Sequence, residues 1–169
     1  MCPSVDWAGC PANALPPIKI DRGLSFMRPM TAKAHDYWQS VRGDRATPSR
    51  KDISPQSMRM LVKHVALVEP RRDHAGKPDY FIRLAGVKIE DVFGSITGHR
   101  LPDFLPPKIE ERWRLILDAA MDAAGPLRAT SRVAFSGKTW LKVELFLAPL
   151  GESGEIPMLF VAAEFWPIE

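Results

Sequence analysis

Apolar positions recur along the chain with two periods, and the switches between them mark out the elements. Over residues 31–42, Ala34, Tyr37, Trp38 and Val41 fall at i, i+3, i+4 and i+7, which is one face of a helix. Thr31 reads as its N-cap and Gly43 as its stop. Residues 43–55 are polar and turn-rich, and a short helical turn is expected around residues 54–60. Two strand signals follow, at residues 61–69 and 79–85, joined by a loop over 70–78 that contains Gly76. In the second, Tyr80, Ile82 and Leu84 alternate with Phe81 and Arg83, which predicts that Tyr80, Ile82 and Leu84 point inward. The period then changes. Residues 86–93 read as a short helix stopped by Gly94, Gly98-His99-Arg100 as a turn, and residues 101–105 as another short apolar turn. A longer helix opens at Pro106 or Pro107, as proline at a first helical position can. Ile109, Trp113, Ile116, Leu117, Ala120, Met121 and Ala124 form its apolar stripe, and Gly125-Pro126 ends it. The last third predicts strands over 127–135, 138–150 and 156–166, with turns at Ser136-Gly137 and at residues 151–154. Within the middle strand Leu141, Val143, Leu145 and Leu147 alternate with Lys142, Glu144 and Phe146, which predicts one buried and one mostly wet face.

Two strands, three helices and three strands, with hairpins at both ends, require antiparallel pairing and helices grouped on one face. The fold class is therefore α+β, a five-stranded antiparallel sheet with helices inserted between its second and third strands, plus an N-terminal helix. An apolar space is expected between those helices and the sheet. Three regions are expected: a tail over 1–30, a helical flank over 31–60 and a core domain over 61–167. The tail is broken by Pro3, Pro11, Pro16, Pro17 and Pro29, yet carries Leu15, Ile18, Ile20, Leu24 and Phe26, so part of it is expected to dock.

Local motifs agree with that order. Residues 81–86 (Phe-Ile-Arg-Leu-Ala-Gly), then Phe93-Gly94, then Thr97-Gly98-His99-Arg100-Leu101 with Asp103, resemble the strand, short helix and turn of the PAS (Per-Arnt-Sim) family. Tyr37-Trp38, Arg42-Gly43 and Pro48-Ser49-Arg50 with Asp52-Ile53 are similar to compact bacterial members that carry a helix before the sheet. The resemblance covers residues 31–166. It implies a sensing or protein-interaction module, often dimeric, whose cavity sometimes holds a small ligand or cofactor.

Composition and charge narrow the picture only slightly. A net charge of +3 does not demand an acidic partner, and the basic residues Arg42, Arg45, Arg50, Lys51, Arg71 and Arg72 are scattered over loops. Nucleic-acid binding is not expected. No apolar run approaches the length of a membrane span, and no basic-then-apolar leader is visible, so a cytoplasmic location is expected. Cys2 and Cys10 lie in the tail, read as free thiols, and are too few for a structural zinc site; no metal site is expected. Flavin-photosensor members of the resembled family carry a reactive cysteine mid-fold, and no cysteine follows Cys10. Haem-binding members commonly use a histidine on the long helix, and residues 106–124 contain none. The cofactor, if any, is left unassigned. His99 reads as a turn residue, His64 as a sheet residue, His74 as a loop residue and His35 as one on an exposed helix face.

The residues expected to line the cavity are Ile82, Leu84, Trp113, Leu117, Leu141, Val143 and Leu145. Arg100 can either bind an acidic ligand or pair with Asp103 or Asp91. Tyr37, Trp38 and Val41 are candidates for a homodimer or partner contact. No Walker loop, nucleophile elbow or zinc-protease motif is present, and no enzymatic centre is expected. The function expected is a stand-alone sensory or interaction module of signal transduction, with a possible small apolar or amphipathic ligand and an unassigned signalling partner. Two alternatives remain. A cone-fold α+β enzyme needs leading helices and inward acids or a tyrosine; a structural dimerisation domain needs a core with no cavity.

Overall fold

The computed structural model, which describes residues 15–135, 138, 140–151 and 157–169, sets six antiparallel strands in one sheet. In chain order the elements are β1 (Lys19–Asp21), α1 (Pro29–Arg42), α2 (Pro55–Met58), β2 (Val65–Arg72), β3 (Pro78–Ala85), α3 (Val87–Phe93), α4 (Leu101–Phe104), α5 (Pro107–Ala123), β4 (Leu127–Arg132), β5 (Leu141–Leu150) and β6 (Met158–Pro167). The strand order is β1-β4-β5-β6-β2-β3, with every neighbouring pair antiparallel. The expected α+β class holds. Five strands form the expected sheet, and three helices lie between its second and third strands. The sixth strand comes from the tail: Lys19, Ile20 and Asp21 pair with Thr130, Ala129 and Arg128.

Both faces of the sheet are buried, which corrects the expectation of a mostly wet face. Along β5, Leu141, Val143, Leu145 and Leu147 pack in an inner core with α3, α4 and α5. The alternate residues Phe146, Ala148 and Leu150 pack in an outer core with Ala34 and Trp38 of α1 and Met58 of α2. Glu144, Phe146 and Ala148 are fully buried. The same alternation runs along β6, where Leu159, Val161 and Ala163 face inward and Met158, Phe160 and Ala162 outward. A strand packed on both sides reads as a near-continuous apolar run, and 158–163 does so.

The helix boundary at α1 also departs from the expectation. Pro29 occupies the first turn and Arg28 is the N-cap, so Thr31 is inside the helix rather than at its cap. Thr31 is fully buried, and its hydroxyl donates to the Arg28 carbonyl and to Glu144. The predicted strand over 61–69 begins later, because Arg59–His64 winds as a 3-10 helix and β2 starts at Val65. The expected helical turn near residues 54–60 is α2, capped by the Ser54 hydroxyl accepting from the Ser57 amide. The expected turns at Ser136-Gly137 and beyond Gly151 lie outside the described residues.

One irregularity reassigns a side chain. The pairing of β2 with β3 shifts between Leu67 and Val68: Leu67 opposes Leu84, while Val68 opposes Ile82. Arg83 is the extra residue of a β-bulge, which breaks the alternation. Ile82 therefore stays in the inner core while Leu84 packs against the outer one. Next to it, Gly86 is required by space. A Cβ there would lie 2.3 Å from the Val62 carbonyl oxygen and 2.4 Å from that of Lys63. The missing side chain lets α3 start directly against the 3-10 segment.

Candidate functional site

The inner core is not completely filled. Between the sheet and α3 to α5 lies a cavity of about 50 Å³. Its walls are Ala66, Val68, Ile82, Leu145, Val161, Ala163 and Phe165 from the strands, and Ile89, Phe93, Ile96, Leu101, Phe104, Leu105, Trp113 and Leu117 from the helical layer. Every one of these side chains is apolar. A water needs roughly 10–15 Å³ and two or more polar partners, so this space suits an apolar group and not a water chain. A second cavity of about 30 Å³ adjoins it and shares Phe93, Trp113 and Leu145 as a common wall. This one is amphipathic. Ile18, Ile109, Ile116, Val133 and Val143 line it together with Arg112, Thr130, Ser131 and Arg132. Phe93 and Trp113, which divide the two spaces, meet edge to face with ring centroids 5.5 Å apart.

The sequence-predicted residues fall into three groups. Ile82, Trp113, Leu117 and Leu145 line the larger cavity, and Trp113, Val143 and Leu145 line the smaller one. Leu141 is buried on the same face but borders neither. Leu84 and Arg100 stand elsewhere. The bulge at Arg83 turns Leu84 to the outer core. Arg100 is held away from the cavity by the carboxylate of Asp79, with Nη1 3.3 Å from Oδ2. The expected ion-pair partner is thus corrected as well: Asp103 accepts from the Arg100 backbone amide at 2.8 Å, and the guanidinium goes to Asp79.

Asp79 organises the edge of the site. It is 3% exposed and also accepts from Arg114 at 2.9 Å, while Arg114 reaches Glu110. Beside it the Tyr80 hydroxyl donates to Asp118 at 2.5 Å. Burial first, and then that carboxylate, push the Tyr80 phenol well above its ordinary range. These contacts tie α5 to β3 and so fix the roof of the larger cavity.

The outer face carries the second polar cluster. Glu144, with no exposed surface, accepts from the Met27 amide at 2.9 Å, the Arg28 amide at 3.0 Å, the Thr31 hydroxyl at 2.5 Å and Arg128 Nε at 2.8 Å. Burial alone pushes its carboxyl up, but the hydrogen bonds from Met27, Thr31, Arg128 and Arg28 prevail and hold it below the usual range. Its cross-strand neighbour Glu164 accepts from the Met30 amide at 2.8 Å and pairs with Arg28 at 3.2 Å. Two carboxylates thus receive the N-terminus of α1, the favourable sign for that end of a helix. The candidate partner residues belong to this contact. Trp38 is 2% exposed, and its indole donates to the Pro149 carbonyl at 3.0 Å. Tyr37 bonds Ser57 and packs on the outer core with Val41. The apolar face of α1 is thus laid on its own sheet. His35 is not on an exposed face either: its ring meets Phe26 tilted at 5.6 Å and Phe146 edge to face at 5.5 Å.

The architecture, with a cavity under an α-helical layer inserted into an antiparallel sheet, agrees with the family comparison. A protein-family profile described as PAS domain matches residues 27–162. The chain belongs to the PAS domain family. That match starts at the residues whose amides meet Glu144, so α1 is part of this PAS domain's matched region. No curated protein and no solved structure matched the chain. The PAS family supports a sensory or interaction module in general terms. Among the described residues no three His, Cys, Asp or Glu side chains converge as a metal site, and no helix is long and apolar enough to cross a membrane. The leading helix α1 covers the outer face, and among the described residues the larger cavity is lined by apolar side chains.

Two features do not follow from the sequence pattern alone. Glu144 alternates with the apolar residues of β5, which reads as a wet face, and only the seating of α1 on that face buries it. Arg112 stands three residues after Ile109 and four before Ile116, in line with the apolar stripe, and that spacing is the signal that marks it.

Proposed function

We propose that this PAS domain is a ligand-responsive module of signal transduction, whose input is a small apolar group held between the sheet and α5. The observation that supports this reading is the larger cavity, whose walls carry only apolar side chains and which lies where α3, α4 and α5 all meet the sheet. An occupant would bear on each of these helices and shift the balance between alternative packings of the helical layer. The output is a protein surface, with a homodimer or a signalling protein as the receiver. The filled-core dimerisation alternative is less well supported, since the cavity is open.

Native and denatured masses of the purified full chain test this, with Ala163→Leu as the occlusion control. Ala163 is 3% exposed and lines the cavity, and the added carbons fill it. A small molecule carried by the wild type in its native mass and absent from Ala163→Leu is the expected result. A wild type with no bound mass, and no change in stability when small apolar compounds are added, overturns the ligand reading and leaves protein contact alone.

A further inference from the structure

We propose that Arg112 anchors the head group of a small apolar carboxylic acid whose tail parts the Phe93–Trp113 wall to reach the larger cavity. This deepens the ligand reading above and rests on it.

The case begins with charge. Arg112 is half-buried on α5 and lines the smaller, amphipathic cavity. Its two hydrogen bonds go to neutral oxygens: Nη1 donates to the Pro16 carbonyl, and Nη2 to the Ser131 hydroxyl at 2.9 Å. No carboxylate pairs with it among the described residues, whereas Arg28, Arg71, Arg100, Arg114 and Arg128 all have one. Burial alone pulls its pKa down, with no anion to offset that. A guanidinium has five donors in a planar fork and stays charged, so a desolvated one facing neutral oxygens favours a bidentate anion.

Geometry then sets the class of anion. The same cavity carries Ile18, Ile109, Val143 and Phe135 beside the polar Thr130, Ser131 and Arg132, and the next space, behind Phe93 and Trp113, is wholly apolar. A sugar acid would bury its hydroxyl groups in that apolar space without partners, at a cost of several hydrogen bonds. A carboxylate on a short aliphatic or single-ring tail presents charge only where Arg112 stands; the Ser131 hydroxyl already donates to the Pro17 carbonyl at 3.0 Å. The two cavities are small, about 30 and 50 Å³, so a long acyl chain does not fit.

The test compares one tail with two heads on the intact chain, hexanoate against hexan-1-ol, by titration calorimetry at pH 7. Hydrogen bonds to a charged group give roughly tenfold or more, so hexanoate should bind wild type at least about tenfold tighter than hexanol. Arg112→Gln should erase that preference while leaving hexanol affinity within about twofold; Arg112→Lys should keep part of it. Arg112 also holds the Pro16 segment, so circular dichroism checks the fold of each variant, and the wild-type comparison decides the matter if neither folds. Equal affinities of the two heads for wild type, or a preference that survives Arg112→Gln, overturn the head-group assignment and leave the cavity reading standing. Binding of neither compound overturns both.

Discussion

Replacing Glu144 by alanine should undo the attachment of the N-terminal segment to the sheet, and its cost can be worked from the contacts. The side chain has no exposed surface and receives four hydrogen bonds, from two amides, one hydroxyl and one guanidinium. Alanine leaves the Met27 and Arg28 amides without acceptors and strips Arg128 of its closest anion. Removing one partner of a buried ion pair costs about 3–5 kcal/mol. Arg128 keeps Asp21 at 3.1 Å, which places the expected loss in the lower part of that range, and water entering beside α1 adds little. With a urea slope of about 2 kcal/mol per molar, the midpoint should fall by about 1.5–2 M. Glu144→Gln keeps the shape and one good acceptor but turns an amide NH₂ toward a donor, so its loss should be intermediate, about 1–3 kcal/mol. The same residue predicts acid sensitivity. Its folded pKa lies below the unfolded 4.5, so its stabilisation is complete above that value and fades as pH falls through the folded one. The wild type should lose stability below about pH 4.5, and Glu144→Gln should show a shallower slope there. Urea melts followed by Trp fluorescence at pH 7 and pH 3.5 read both effects. A Glu144→Ala midpoint within about 0.3 M of wild type would refute the assignment of Glu144 as the anchor of α1.

Other expectations follow from the same packing. Gly86→Ala drives a methyl group into the Val62 and Lys63 carbonyls and should cost at least about 1–3 kcal/mol; an unchanged urea midpoint would show that α3 can move aside. Trp38→Ala removes a 2%-exposed indole and should cost about 3–5 kcal/mol, with Trp38→Phe losing less and forfeiting the bond to Pro149. Equal losses for the two variants would mean that the indole volume contributes nothing to seating α1. Tyr80→Phe deletes the hydrogen bond to exposed Asp118 and should cost only about 0.5–1.5 kcal/mol. In the wild type, absorbance at 295 nm should show one of the two tyrosines ionising well above pH 10, and its absence would place Tyr80 in water.

Periodicity revealed the sheet, the helical insert and the long helix α5, because each of these buries one face and so writes a regular pattern. It failed where burial has no period. β5 is covered on both sides, so Glu144 looked solvated between Val143 and Leu145; its partners, Met27, Arg28 and Thr31, are more than a hundred residues away in sequence. The period of β3 places Leu84 inward, but a single bulged residue, Arg83, inverts every later position in the strand. Arg100 is the obvious cation beside a turn, but Asp79, near the start of the β3 strand that Arg100 bridges at Phe81, claims it. Arg112 was legible only as a charged residue within an apolar stripe, which is as often a snorkelling side chain as a site. The cavity-lining positions Ile82, Trp113, Leu117 and Leu145 were accessible because they follow from the periods of β3, α5 and β5. The volume they leave between them was not, since it depends on how rings such as Phe93 and Trp113 settle.

The outer sheet face is occupied by the chain's own helix, and that changes the terms on which anything else can use it. Tethered through the short stretch from Gly43 to His64, α1 faces Phe146 and Phe160 at an effective concentration of at least the order of millimolar. A second molecule seeking the same surface must outbid that internal occupant. Its apparent affinity is reduced by the fraction of time α1 is away. The carboxylates of Glu144 and Glu164 set that fraction, so the strength of a few hydrogen bonds at residues 27–31 becomes a threshold on partner concentration.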